Sequence, residues 1–331
     1  MRQHLRHWTA IAAAAVSLFA AWAAMPQRAS AGTLSTDVIG MFPKEVGEFG
    51  YADLKSARQY AWFPQLREQL LPSRFRDFEK FLISAGVDSS SQVDEIAWAG
   101  IPVSKGDGED YIGVALGAFN PSAAEDRFKQ QKLARIDEHG FHLYAFGSGT
   151  GGGSILFTFV DVNTAVFGSR AALEKMLDVR TGAAPSLLTD DTLYPLINEA
   201  NGNGIIWGVL NQKFTKMAMQ QLVPQTSQFP QVAAIVGRMK AMTILVTADK
   251  NLDMQFQAVC GSTDDANLMN AALQAGILMR RVQASQGNPD LATALDQITV
   301  KPTGDRLKVD VPVSQDQLLS LIRDRTFAMP M

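Results

Sequence analysis

The chain has 331 residues, 47% of them hydrophobic, and its 30 basic and 33 acidic residues give a formal net charge of −3 at pH 7. This mildly negative balance, with no cluster of basic residues, argues against nucleic acid as a partner, because phosphate binding needs grouped Lys and Arg side chains. The length allows one large domain or two of about 150 residues.

Residues 1–31 have the pattern of an export signal. Arg2 and Arg6 form a positive start, residues 8–25 are apolar and rich in alanine, and Ala29-Ser30-Ala31 fits the small-x-small pattern of signal peptidase cleavage. The competing interpretation is an uncleaved membrane anchor, because the apolar run is near the ~18-residue lower limit for a span. The cleavage motif favours removal. We therefore expect a periplasmic or extracellular protein that begins at Gly32 and has no membrane span after signal cleavage.

Residues 32–190 are predicted to form a first α+β unit. Apolar spacing indicates a helix that ends at Gly86, Asn120 before Pro121 is a typical helix start, and Ser169 is placed to cap the last helix. The predicted elements are a helix within 53–86, strands over 95–103 and 111–119, a helix over 122–133, strands over 141–146, 154–161 and 164–169, and a helix over 170–179.

Residues 191–331 are predicted to form a second unit of similar order. Asn211, Thr263 and Asn288 are placed to cap three helices, and Ser314 with Gln317 forms a capping box. The predicted elements are a strand over 204–211, helices over 212–222 and around 233–239, strands over 241–249 and 251–261, helices over 264–285 and 290–297, strands over 298–302 and 306–313, and a helix over 315–324.

The order of these elements predicts the fold class. Short links between consecutive strands favour antiparallel pairing, which separates this chain from folds that alternate strand and helix. Residues 111–130 align with residues 253–273, each a strand followed by a capped helix. We therefore predict an α+β fold of two similar antiparallel-sheet units backed by helices, produced by an internal duplication and joined within residues 181–204.

A glycine-rich loop raises the possibility of a nucleotide site. Gly147 to Ser154 fits both a dinucleotide fingerprint and a phosphate loop, with Gly153 in place of the phosphate-loop lysine. Both patterns need a following helix, whose N-terminal N–H groups hold the phosphate, but residues 155–161 have strand character. We therefore predict a hairpin connection, and neither a nucleotide nor another cofactor.

Histidine and cysteine offer little chemistry here. His139 and His142 are close to Asp137 and Glu138, but side chains three residues apart on a strand point to opposite faces and cannot share one metal ion. A turn that joins Glu138 with His139 is the alternative. Cys260 ends an apolar strand, which favours a buried structural thiol. We predict no metal site and no catalytic residue, although a carboxylate pair would leave no fixed spacing in the sequence.

Acidic pairs and tryptophans have simpler interpretations. Asp190-Asp191 and Asp264-Asp265 each stand at a predicted helix start, where the helix dipole favours acids, so capping is the expected role. Trp98 and Trp207 occupy similar places in what we predict to be the first strand of each half. We expect both to be core residues, with a ligand-stacking pair as the alternative.

Six short patterns support a resemblance that covers most of the mature chain, more strongly in its first half. They lie at Pro43, Gly86 to Asp88, Asp94 to Ile96, Gly117 to Phe119, Gly140 to Tyr144, and Gly168 to Gly182. With them the chain resembles a group of uncharacterised exported bacterial proteins. These patterns are turns, caps and strand ends, so the resemblance implies no function and no active site.

These observations lead to a functional expectation. We expect an exported, non-catalytic binding or scaffolding protein of the envelope or periplasm, whose partner is another protein or a small ligand. The first alternative is an exported hydrolase with a carboxylate site that the sequence does not flag. The second is a carrier of an apolar ligand between the two sheets.

Overall fold

The computed structural model describes residues 32–60, 63–64, 67, 73–103, 109–138, 140–147, 154–222, 234, 236–248 and 252–314. The predicted export signal, residues 1–31, lies outside this part of the chain, as does the predicted helix over 315–324. Among the described residues, no helix has the length and apolar character needed to cross a membrane.

Helices and strands together confirm the predicted α+β class. The helices are α1 (Thr36–Ile39), α2 (Leu54–Ala57), α3 (Ser73–Ser84), α4 (Ser89–Gln92), α5 (Pro121–Gln130), α6 (Arg170–Arg180), α7 (Leu193–Ala200), α8 (Gln212–Leu222), α9 (Thr263–Ala284) and α10 (Pro289–Asp296). The strands are β1 (Glu48–Asp53), β2 (Val93–Pro102), β3 (Glu109–Gly117), β4 (Arg135–Glu138), β5 (Phe141–Phe146), β6 (Ile155–Phe159), β7 (Thr164–Gly168), β8 (Ile206–Asn211), β9 (Ala241–Ala248), β10 (Leu252–Val259), β11 (Thr299–Thr303) and β12 (Arg306–Val313).

The strands of the described residues form one antiparallel sheet of twelve strands, where we expected a separate sheet in each unit. Its order is β11-β12-β10-β9-β8-β1-β2-β3-β7-β6-β5-β4. Outward from the centre, the first half runs β1-β2-β3-β7-β6 and the second runs β8-β9-β10-β12-β11, so both halves have the same order. The β4–β5 hairpin extends the first half only. The strands of the halves do not interleave, as the duplication predicts.

The two halves meet where β1 pairs with β8. Gly50 lies opposite Gly208, and Tyr51 lies opposite Trp207. The same relation extends to the helices that follow, because Asp53 at the end of β1 caps α2 and Asn211 at the end of β8 caps α8. A sheet edge in each half is therefore satisfied by the other half, which avoids two exposed edges at the centre of the molecule.

Alternation along the strands gives the sheet two faces, which we name after their tryptophans. The Trp207 face carries Phe49, Tyr51 and Val209, and the Trp98 face carries Gly50 and Ala52. On the Trp207 face, α1, α6 and α7 close one large core around the centre and the first half of the sheet. On the Trp98 face, three smaller cores lie under α3 with α5, under Ala57, Tyr60 and Phe63, and under α8 with α9.

Glycines on the Trp98 face make room for aromatic rings. A Cβ on Gly50 would lie 2.3 Å from the Trp98 ring, and a Cβ on Gly113 would lie 2.2 Å from the Phe167 ring. Such distances are too short for a Cβ atom. The two aromatic rings therefore fit on these strands only because the residue beneath each ring is a glycine, which has no side chain.

Several predicted details need correction. Ser262, not Thr263, caps α9, since its hydroxyl accepts from the Asp265 N–H at 3.1 Å. The sequence pattern did not reveal β1, β4, α1, α4 or α7. Because β1 precedes β2, Trp98 lies in the second strand of its half, and Trp207 lies in the first strand of the other half.

Candidate functional site

The glycine-rich loop joins two strands of the sheet. Phe146 at the end of β5 pairs with Ile155 at the start of β6, and the described residues after the loop form a strand. Residues 148–153 themselves lie outside the described part of the chain. The described residues that follow the loop therefore provide a strand where both phosphate patterns need the start of a helix.

The histidine motif lies at the surface, where His142 and Arg135 both contact Asp137. His142 Nδ1 lies 2.7 Å from Asp137 Oδ1, and Arg135 Nη2 lies 3.1 Å from Asp137 Oδ2. The contact with His142 has the largest effect, and together with that of Arg135 it holds the pKa of Asp137 below its usual range. Glu138 instead pairs with Arg170 at 3.2 Å, and His139 lies outside the described residues. Within the residues described, no three His, Cys, Asp or Glu side chains are grouped so as to hold a metal ion.

The remaining candidates from the sequence have structural roles. Cys260 is fully buried, and its burial raises the pKa of the thiol. Asp190 accepts the N–H groups of Thr192 and Leu193 at the start of α7. Asp265, in the first turn of α9, accepts from Arg238 at 2.8 Å.

The two tryptophans lie on opposite faces of the sheet. Trp207 is fully buried and stacks on Tyr51, with ring centroids 5.4 Å apart. Trp98 is half-buried above Gly50 on the other face. The pair therefore cannot stack on one ligand, and Trp207 is the core residue that we expected.

A buried carboxyl group that the sequence did not flag lies at the centre of the Trp98 face. Glu48 on β1 is buried between Gly100 of β2 and Leu210 of β8, and the Phe214 ring lies next to it over Gly100. Trp98 Nε1 donates to Glu48 Oε1 at 3.3 Å. Burial, and after it the charge of Glu109, raises the pKa of Glu48 to about 8.

Glu109 at the start of β3 is the second acid of this site. Its burial raises its pKa to about 7, and Lys213 on α8 lowers the pKa by a smaller amount. Both acids therefore hold a proton more readily near neutral pH than an exposed glutamate does. Two carboxyl groups whose pKa values lie near neutrality are an arrangement that can donate and accept protons. The only sequence signal was an acid inside a short run, EFGYAD, that lacks strong strand character.

A second candidate site is an apolar surface on α9. One side of this helix is buried, with Ala266 and Met269 in the core under the sheet. The other side exposes four large apolar side chains, to 53% for Leu268, 55% for Leu278, 62% for Met279 and 55% for Val282. We call the exposed apolar residues of this side, together with Ala271 and Ala275 between them, the α9 stripe.

Comparison with known proteins supports the fold but no activity. No protein-family model matches the chain, and no curated protein matches it. The crystal structure of TP0453 in crystal form I is similar, with a TM-score of 0.51, 14% sequence identity, and coverage of 90% of this chain and 99% of that chain. At this level of identity the likeness shows a common fold alone.

Proposed function

We propose that this protein is an exported, non-catalytic scaffolding protein of the envelope or periplasm that associates with a second copy of itself through the α9 stripe. The observation that carries the proposal is the stripe itself. Contiguous exposed apolar side chains are uncommon on a helix of a monomeric protein and are typical of interaction surfaces. The pattern of an export signal in residues 1–31 supports the compartment.

The spacing of the stripe suits a helix partner. Leu268, Ala271, Ala275, Leu278 and Val282 follow one another at intervals of three and four residues, which is the spacing of a helix–helix seam. From Leu268 to Val282 the stripe is about 21 Å long, because an α-helix rises 1.5 Å per residue. That length is sufficient for four turns of contact.

The stripe is also complementary to itself. If two copies of α9 pack antiparallel about a two-fold axis at Ala275, Leu268 of each copy faces Val282 of the other. The small residue Ala271 then faces the large residue Met279, and the two Ala275 side chains meet. The seam is therefore apolar along its length, with Met279 facing the smaller Ala271 and the least bulky pair at the axis, so that the surface can meet its own copy in an isologous contact.

A cysteine at the centre of the stripe tests this arrangement. Cys260 is fully buried, so an Ala275→Cys variant carries one accessible thiol. We expect mild oxidation to crosslink two copies through residue 275, because antiparallel packing brings these two positions within disulfide reach. The matched control is Ile83→Cys on α3, which replaces an apolar residue that is 51% exposed and stands outside the stripe. It should not crosslink.

A charge substitution gives the second test. Leu278→Glu should convert a dimer into a monomer in sedimentation measurements, whereas Ile83→Glu should leave the dimer intact. At a protein concentration low enough for the wild type to be monomeric, Leu278→Glu and the wild type should have the same thermal midpoint, because the dimer then no longer adds stability. A wild-type monomer that Leu278→Glu destabilises would overturn the proposal, because the stripe would then be covered by another part of its own chain.

The carboxyl site supports a second candidate function, an exported hydrolase that uses Glu48 and Glu109. The observation in its favour is the raised pKa of both acids, a property that is common at catalytic sites. A Glu109→Gln variant that loses a hydrolytic activity of the wild-type protein, but not its stability, would support this function over scaffolding. The carrier alternative required a space between two sheets, whereas the described strands form one sheet.

A further inference from the structure

The beginning of the predicted mature chain is held in a defined place. Leu34 exchanges two hydrogen bonds with the side chain of Asn201, its N–H donating at 2.9 Å and its carbonyl accepting at 2.8 Å. Two residues earlier, the Gly32 N–H donates to Asp53 Oδ2 at 3.3 Å. The nitrogen that cleavage after Ala31 would release is thus already directed at a carboxylate.

The surroundings of Gly32 contain a buried hydroxyl group that can still accept a hydrogen bond. The Tyr51 hydroxyl is fully buried and interacts with the Glu95 carboxyl group, but no described residue is placed to form a hydrogen bond of normal geometry with it. A Cβ on residue 32 would lie 2.2 Å from this hydroxyl and 3.1 Å from Asp53 Oδ2. Position 32 therefore faces both groups at very close range and accepts only glycine.

The site also carries excess negative charge. Asp53 on β1 pairs in register with Glu95 on β2. Burial has the largest effect on the pKa of Glu95 and raises it, the Tyr51 hydroxyl lowers it by a smaller amount, and Asp53 and Asp94 raise it further. Lys55 and Arg58, the nearby cations on α2 and just after it, both form ion pairs with Asp94. In the described part of the chain, neither cation forms an ion pair with Asp53 or Glu95.

We propose that signal cleavage creates a binding group for this site: the α-ammonium of Gly32 binds between Asp53, Tyr51 and Glu95 and fastens the start of the mature chain to the sheet. The inference rests on the export that we propose above. Cleavage adds one water across the Ala31–Gly32 peptide bond, so that Ala31 leaves with a carboxylate and the Gly32 nitrogen becomes an ammonium with three N–H donors. One donates to Asp53, and the Tyr51 hydroxyl accepts another.

The charge of the new group has a predictable pH dependence. An α-amino group ordinarily has a pKa of about 7.7–8.0, and nearby carboxylates raise this pKa because they favour the ammonium. The folded pKa is then above the unfolded one, so the stabilisation is fully present below about pH 8 and is lost as the pH rises through the raised value. Lys55 and Arg58 act in the opposite direction and limit the rise.

The test compares two purified chains, one that begins at Gly32 and one that retains Ala31 and is otherwise identical. We expect the chain that begins at Gly32 to have the higher thermal midpoint at pH 6–7, with the difference disappearing at alkaline pH. Acylation of its α-amine at pH 7 should be about tenfold slower than in the unfolded chain for each unit by which the pKa is raised. Glu95→Gln should reduce both effects, and Gly32→Ala should remove them because its methyl group collides with the Tyr51 hydroxyl.

The outcomes separate this inference from the proposed export. An α-amine that is acylated as fast in the folded chain as in the unfolded one, with no difference in thermal midpoint, would overturn the docking and leave export standing. N-terminal sequencing of protein from the envelope fraction that finds residues 1–31 retained would overturn both. Neither result depends on whether the α9 stripe forms a dimer.

Discussion

The two halves of the sheet have the same strand order but opposite chemistry on the Trp207 face. Counting outward from the Gly50–Gly208 pair, Val114 of β3 corresponds to Gln257 of β10, and Val166 of β7 corresponds to Lys308 of β12. In the first half these residues are buried, whereas in the second half they are half-buried.

The difference follows from what lies over each half. In the first half, α6 packs its apolar side on β3, β6 and β7, and Leu173 and Met176 enter the large core. In the second half, Lys308 and Asp310 form an ion pair at 3.1 Å on the corresponding strand. Backbone hydrogen bonding between strands can therefore repeat the strand order in both halves. Whether a face of the sheet is apolar or polar depends instead on whether a helix packs on it. The same strand order in two halves therefore does not produce the same hydrophobic core in both.

Exchange of corresponding residues should have the largest effect. Val114→Gln places an amide in the apolar core under α6 with no partner, and we expect the free energy of unfolding to fall by about 3 kcal/mol. The reverse change, Gln257→Val, should alter it by no more than about 0.5 kcal/mol, because this position is half-buried. Urea unfolding of both variants measures the difference. Equal losses would mean that the second half is as tightly covered as the first.

The second-largest effect should depend on pH. At the position where the second half has the buried Ile206, the first half has the titratable Glu48. The folded pKa of about 8 is above the ordinary 4.5, so the folded state favours the neutral form of Glu48, and ionisation of this group destabilises it. Stability that is fully present below about pH 4.5 is therefore lost as the pH rises through about 8. Glu48→Gln should flatten this decline and leave the variant more stable than the wild type at pH 9 by about 2 kcal/mol.

The matched control for this prediction is Glu45→Gln, which neutralises an exposed acid three residues earlier. Urea unfolding at pH 5 and pH 9 should show no difference between this control and the wild type. If Glu48→Gln keeps the full decline with pH, another group is responsible for it.

The smallest effect on stability is expected from an ion pair on the Trp207 face that links the two halves. Arg306 on β12 forms two hydrogen bonds with Glu199 on α7, at 2.5 and 3.0 Å, which hold the pKa of Glu199 below its usual range. Since both side chains are exposed, Arg306→Gln should cost only about 0.5 kcal/mol, and less at high salt. The contribution should be present at neutral pH and be lost as the pH falls through the lowered pKa of Glu199. A double-mutant cycle with Glu199→Gln measures it, and a coupling that does not respond to salt would contradict a surface ion pair.

The export pattern and the nature of most elements could be predicted from the sequence. The strands β2, β3, β8, β9 and β10 follow from apolar runs, and Asn120, Ser169 and Asn288 cap the predicted helices, because these signals are local. The alignment of residues 111–130 with 253–273 also agrees with the positions of β3 and β10 in the sheet. Export itself stays a prediction, as does the boundary between residues 190 and 191.

The tertiary structure alone decided how the halves join and where the buried acid lies. The segment that forms β1 has a glycine at its centre and an acid at each end, so it lacks the apolar alternation of a strand. It becomes one because Trp98 covers Gly50 on one face and Trp207 stacks on Tyr51 on the other. These contacts come from residues about 50 and 150 positions away, and a local pattern cannot contain them. The same strand places Glu48 in the core, where burial, and not its sequence neighbours, sets its protonation.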